Sequence, residues 1–197
     1  MERLILYGVF CLGCLLQWII RLKYRRLKKR VQQPVIKLSF LDYLLILLSI
    51  FGFYILPLYL ISFNGFSKFN FHIPLVITII FSLSYVFGIW LFIKAHKDMG
   101  KYWWMGYELS NKQELVTEGV YAWIRHPMYA SFILMGIGNI FLLQNWIVGF
   151  SHLLVLLPLY IIHVPKEERQ LIANFGEAFN HYKQYTGKIF PNRHKSG

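Results

Sequence analysis

Long apolar runs broken by few charges dominate this chain. No Asp, Glu, Lys or Arg occurs between Arg3 and Arg21, between Asp42 and Lys68, or between Lys68 and Lys94, and none in the 40 residues between Arg125 and Lys166. A bilayer crossing takes about 20 mainly apolar residues, so these gaps hold one, one, one and two crossings. The pattern predicts an all-α integral membrane protein with one domain over 1–197 and five transmembrane helices at about 4–20, 43–63, 74–93, 128–143 and 146–164. Pro57 predicts a kink in the second, and Pro158 is tolerable in the fifth if neighbours satisfy the freed carbonyl. Asn64-Gly65 is a turn signal in the short loop that ends at His72.

Only Gln144 and Asn145 separate the last two apolar segments. These segments must form a tight antiparallel hairpin, and its open ends, near His126 and near Glu167, must meet although 41 positions apart in sequence. The stretch 94–127 is the first long polar one, with Tyr102, Trp103, Trp104 and Tyr107 among its charges, a mixture suited to the headgroup layer. After Pro165, Leu171, Phe175, Phe179 and Tyr182 recur at helical spacing, which predicts a C-terminal amphipathic helix along the inner surface. Gly187 is its expected stop. Segments 94–127 and 165–197 therefore form the expected cytosolic, catalytic portion.

Charge fixes the orientation. Apolar residues make up 56% and charged residues 15%, against roughly 25% charged in a soluble domain. A net charge of +12 is of the kind that suits nucleic acid, but eight basic residues crowd between Arg21 and Lys37, directly after the first apolar run. The positive-inside rule makes that loop cytosolic. Five crossings then put the amino terminus outside and the carboxyl terminus inside, leaving only Arg3 and Lys68 of the 21 basic residues outside. The loop either merely sets orientation or also touches anionic headgroups, at about 1 kcal/mol per residue; no nucleic acid partner is expected. The first segment lacks a small-residue cleavage site and runs into a basic stop-transfer cluster, so it is read as a retained helix. Cys11 and Cys14 have no second cysteine pair and no nearby His, which suits lipid- or helix-facing thiols; no metal site is expected.

Polar chemistry gathers at the hairpin's open end, in Gly119-Val-Tyr-Ala-Trp-Ile-Arg-His-Pro-Met-Tyr129 and in His163-Val-Pro-Lys-Glu-Glu-Arg169. Ionisable groups at membrane depth are costly and mark functional sites by default. Each has a plainer reading. Arg125 can snorkel, Pro127 can simply begin a helix, Glu167 and Glu168 can be first-turn carboxylates, and His163 can be a packing histidine. Their convergence is what argues against all the plain readings together.

These residues carry a resemblance. From about His96 to Pro191 the chain resembles the isoprenylcysteine carboxyl methyltransferase family and its archaeal and bacterial relatives. It does so through Leu115-Val-Thr-Glu-Gly-Val-Tyr-Ala-Trp-Ile-Arg-His-Pro-Met-Tyr129, Leu142-Leu-Gln-Asn-Trp146, Glu167-Glu168, Phe175-Gly-Glu177, Tyr182 and Phe190-Pro191. The resemblance implies S-adenosylmethionine as cofactor, held in a cytosolic pocket without a Rossmann fold; no Gly-x-Gly-x-x-Gly occurs here. It implies cofactor contacts from Gln113, Glu114, Leu115, Val116, Tyr121, His126, Pro127, Met128, Tyr129 and Glu167, with Arg125 nearest the methyl acceptor. The implied partners are a lipophilic or prenylated substrate and the membrane lipids.

The residue types suit such chemistry. Aromatic faces such as Tyr121 or Tyr129 attract a sulfonium, and Glu167 can accept from the ribose or amino group. His126 and backbone N–H groups can donate to the cofactor carboxylate. A terminal carboxylate acceptor, of pKa about 3.3–3.7, is already deprotonated at neutral pH and needs only orientation. One guanidinium can bind it bidentately, which suits Arg125. An amine acceptor would need a base, for which Glu168 or His163 is the candidate. Three positions depart from the family pattern: Gln113 where relatives have His, His163 where they have an Arg that contacts substrate, and Gly138-Asn-Ile140 where eukaryotic members have Gly-Thr-Gln. The expected activity is methyl transfer to a lipophilic carboxylate or thiol, and a phospholipid amine N-methyltransferase, an NADPH-dependent sterol-reductase-like enzyme and a non-catalytic scaffold remain as alternatives. Met128 stands where the reductase-like variant carries Asn.

Overall fold

A computed structural model describes residues 2–28, 39–100 and 114–192, and among these residues there are helices and no strand. In chain order they are α1 (Glu2–Lys28), α2 (Phe40–Ile50), a π-helical segment Phe51–Ile55, α3 (Leu56–Phe63), α4 (Leu75–Met99), α5 (Pro127–Leu143), α6 (Trp146–Phe175) and α7 (Glu177–Tyr185). Four spans are long and apolar enough to cross a membrane: Glu2–Arg25, Phe40–Phe63, Leu75–Met99 and Trp146–Phe175. α5 is apolar but has 17 residues, about 26 Å of helix against a hydrocarbon core of about 30 Å.

Prolines act locally. Pro57 offers no N–H, and its ring crowds the carbonyl four residues back. The chain answers with the π segment, in which the Leu56 N–H bonds the Phe51 carbonyl, one residue further than in an α-helix. The expected end of the fifth segment at 164 is corrected: α6 runs through Pro158 and Pro165 to Phe175. Residues 166–173 are mostly strong helix formers, and losing one backbone bond at Pro165 does not outweigh them. The expected surface helix is accordingly split, with Leu171 and Phe175 on α6 and Phe179 and Tyr182 on α7. The break is Gly176, whose φ of +51° lies in a region costly for any residue with a Cβ.

The core is built where α4, α5 and α6 approach closely, with Phe10, Phe53, Leu60, Tyr85, Phe92, Met135, Leu142 and Val148 buried between the helices. In a membrane, close backbone approach replaces the hydrophobic drive between helices, and glycines permit it. A Cβ at Gly138 would lie 2.7 Å from the Tyr85 amide nitrogen and 2.9 Å from its Cα. At the hairpin tip Gln144 turns with φ +45°. Asn145 caps α6 by accepting from the Ile147 and Val148 N–H groups, and its amide donates to the Phe66 carbonyl and to Asn70 Oδ1, both at 2.8 Å. The tip is thereby tied to the 64–72 loop, and the hairpin's two other ends are set side by side. Gly138→Ala is expected to lower stability by about 1–3 kcal/mol through overpacking, measured by thermal unfolding in detergent. Gly8→Ala, where a Cβ would meet nothing within 4 Å, is expected not to lower it, and to raise it by up to about 1 kcal/mol through helix propensity.

Candidate active site

At the open end of the hairpin, Pro127 occupies the start of α5, where its missing N–H costs nothing. The residues before it are held by the C-terminal tail: the Arg125 N–H donates to the Gly187 carbonyl at 2.8 Å and the His126 N–H to that of Lys188 at 2.9 Å. The Gly187 N–H returns a bond to the Trp123 carbonyl. This single parallel bridge, Ile124 with Gly187, fixes which way the Arg125 and His126 side chains leave the backbone.

Those side chains meet the start of the last two turns of α6. Arg125 Nε donates to Glu168 Oε1 at 3.1 Å, and its Nη1 donates to the carbonyls of Lys183 and Thr186. His126 lies between the carboxylates, with Nε2 3.3 Å from Glu168 Oε1 and Nδ1 3.5 Å from Glu167 Oε2. The Tyr129 hydroxyl donates to Glu167 Oε1 at 2.7 Å. The Lys188 ammonium stands 3.9 Å from Glu168 Oε2. Burial disfavours a charge on His126, but hydrogen bonds and attraction from Glu167 and Glu168 outweigh it and raise its pKa. The expected meeting of an arginine–histidine pair with a glutamate pair is present.

Beside this cluster is a hollow of about 60 Å³. Glu114, Leu115, Val116, Tyr121 and Arg125 line it on one side, and Leu171, Phe175, Phe179 and Tyr182 on the other. A bound molecule of drug size takes about 300 Å³ or more, so occupation by a nucleoside requires the ring side chains to move. Burial raises the phenol pKa values of Tyr121 and Tyr182. Both therefore remain donors, Tyr121 to the Ala95 carbonyl and Tyr182 to the Tyr121 carbonyl. Arg125 is common to the hollow and the ion cluster. His126, Pro127, Met128, Tyr129 and Glu167 are not among the residues that line the hollow; His126, Tyr129 and Glu167 belong to the ion cluster beside it. Gln113 lies outside the described residues.

His163 is placed elsewhere. Its Nε2 is 2.9 Å from Asp42 Oδ1, which Lys166 Nζ also approaches at 3.0 Å. Asp42 is itself locked by a capping box in which the Ser39 hydroxyl and backbone N–H donate to its carboxylate and its own N–H donates to the hydroxyl. Sequence reasoning missed Asp42. Its signal was Ser-x-x-Asp before an apolar run, a helix-start pattern with the acid in the third helical position, in the only acidic residue between Glu2 and Asp98. The tail residues Thr186 to Lys188 were also missed, because they act through backbone groups that any residue supplies.

A family model for the isoprenylcysteine carboxyl methyltransferase (ICMT) family matches residues 77–173. Human protein-S-isoprenylcysteine O-methyltransferase is 40% identical over 77 residues, 39% of this chain and 27% of that protein. The protein of the same name from Schizosaccharomyces pombe is 36% identical over 75 residues, 38% of this chain and 30% of that protein. The matched stretch thus spans less than a third of these curated relatives. A solved structure of the eukaryotic intramembrane Ras methyltransferase ICMT superposes over 97% of this chain and 68% of its own, with a TM-score of 0.62 and 22% identity, which shows a shared fold. The matched span, 77–173, runs from α4 through both halves of the ion cluster, and over it the chain is similar to the isoprenylcysteine carboxyl methyltransferase family.

Proposed function

We propose that this chain is an S-adenosylmethionine-dependent methyltransferase acting on a lipophilic carboxylate, of the protein-S-isoprenylcysteine O-methyltransferase type. The observation that carries the reading is the convergence of Arg125, His126 and Tyr129 with Glu167 and Glu168 beside an aromatic-lined hollow. We propose further that α5 is the fifth crossing, that the amino terminus is outside, and that the hollow opens to the cytosol. α7 lies along the inner surface in this reading, with Phe179 turned into the protein.

The residues fit the cofactor. Tyr121, Phe175, Phe179 and Tyr182 surround the hollow with aromatic faces that attract a sulfonium, and the exposed Glu114 supplies an acceptor at its rim. When bound, S-adenosylmethionine supplies an electrophilic methyl group. A carboxylate oxygen, already deprotonated at neutral pH, would receive that methyl group. No proton moves, so no general base is needed. This chain's residues orient the partners and exclude water. Glu167, held by Tyr129 and His126, presents a fixed carboxylate at the mouth, while Arg125 locks the tail against α6.

Incubating the purified chain with methyl-labelled S-adenosylmethionine and a prenylated cysteine is expected to give a base-labile methyl ester. A base-stable N-methyl group on a phospholipid instead would overturn the carboxylate assignment. Glu167→Ala is expected to weaken cofactor binding about tenfold, the scale of one charge-assisted hydrogen bond. Arg125→Ala is expected to lower turnover and to cost about 3 kcal/mol of stability by stripping the buried Glu168 of its main partner. Calorimetric titration and detergent melts separate the two effects.

The His126 pair also sets a pH dependence. Its pKa is raised in the folded state, so its stabilisation is complete below the ordinary imidazole value of about 6.5 and is lost as pH rises through the higher folded value. Melting temperature is expected to fall across that alkaline window, and His126→Gln is expected to flatten the fall.

A further inference from the structure

Deeper in the bundle lies a cation that the mechanism above leaves unused. Arg21, on α1 and half-buried, places its Cζ 5.7 Å from the centre of the Phe92 ring on α4 and 5.4 Å from that of Phe132 on α5. The buried His152 of α6 packs its ring 6.1 Å from Phe132 and 4.2 Å from Phe53. One turn before Arg21, Gln17 is fully buried. Its Oε1 accepts from the Tyr54 hydroxyl at 3.1 Å, and its Nε2 has no hydrogen-bond partner among the described residues. Arg21 lies near enough to Tyr54, His96 and His152 to act on each electrostatically. Among the described residues no carboxylate pairs with it.

Arg21 falls inside the apolar span Glu2–Arg25, not in the cytosolic loop to which the charge pattern assigned it; a guanidinium there without a counter-ion is costly, and ring faces offset that cost only in part. A buried amide donor left unpaired one turn away, on Gln17, adds to it. Both deficits would be met by one oxyanion. The mouth itself does not offer a free guanidinium for an acceptor carboxylate, because Arg125 already donates to Glu168 and to two backbone carbonyls. His163, the other cationic candidate for the acceptor, is engaged with Asp42. Position fits as well: Phe92 precedes the hollow-lining Met99 by seven residues on α4, about 10 Å along the helix and toward the bilayer interior.

We infer that Arg21, with Gln17, is a membrane-depth subsite that receives the carboxylate of the lipophilic methyl acceptor as it moves from the bilayer to the mouth. This rests on the methyl-transfer reading above. Its interaction is made before the chemical step, so it governs acceptor affinity and KM rather than kcat.

The test compares wild type, Arg21→Gln and Arg21→Lys in detergent micelles. Equilibrium binding of N-acetyl-S-farnesylcysteine and of its uncharged carboxamide is measured beside S-adenosylmethionine binding and steady-state kinetics. Wild type is expected to bind the carboxylate about tenfold more tightly than the amide, about 1.4 kcal/mol. Arg21→Gln should lose that preference by weakening the carboxylate alone, raise KM about tenfold at near-constant kcat, and leave cofactor affinity unchanged. Arg21→Lys should retain part of the preference, and carries the test if Arg21→Gln does not fold. A preference undiminished in both variants, or absent in wild type, overturns the subsite. So does loss of a copurified anionic phospholipid from Arg21→Gln with acceptor binding intact, which would assign the site to lipid phosphate. The two readings fail separately: carboxylate selectivity through Arg21 without methyl ester formation sinks the activity, whereas methyl ester formation at unchanged KM in Arg21→Gln sinks the subsite.

Discussion

A buried arginine–glutamate pair governs the rest of this molecule. Arg125 and Glu168, with side chains 7% and 10% exposed, stand 3.1 Å apart at the open end of the α5–α6 hairpin. Removing either charge from water is tolerable only with a close partner and further hydrogen bonds, and the surroundings supply both. The guanidinium also holds the Lys183 and Thr186 carbonyls, and the carboxylate also holds His126. The pair therefore ties three separate pieces together: the segment entering α5, the exit of α6 and the tail beyond α7.

That constraint divides the labour at the site. The ion cluster is largely self-satisfied, and its business is position. It holds Glu167 on Tyr129 and orients one wall of the hollow. The hollow beside it, walled by Tyr121, Tyr182, Phe175 and Phe179, presents aromatic faces of the kind that attract a cation. Methyl transfer to a carboxylate asks little more of a protein than this, since opposite charges neutralise and no proton is shuttled. A guanidinium so fully engaged as Arg125 is better suited to building the mouth than to catching a substrate.

Much of this was legible in the chain. Charge-free gaps located the apolar segments, and the two-residue Gln144-Asn145 turn required His126 and Glu167 to meet, as they do at 3.5 Å. Other parts carried no readable signal. The helix continues past Pro165 because the helix formers that follow it outweigh one missing bond, a balance that periodicity alone does not weigh. The tail is strapped to Arg125 and His126 through backbone groups at Gly187 and Lys188, which leave no trace in side-chain identity. Asp42 reads locally as a helix cap, and only the folded bundle shows that α2 delivers it to His163 and Lys166.

The central claim is that the mouth bounded by Arg125, Tyr121 and the glutamate pair is built for a sulfonium nucleotide. Calorimetric titration of the purified chain with S-adenosylmethionine and, separately, with NADPH tests it most directly. The account predicts saturable binding of one S-adenosylmethionine per chain and none of NADPH at comparable concentration; tighter binding of NADPH would contradict it.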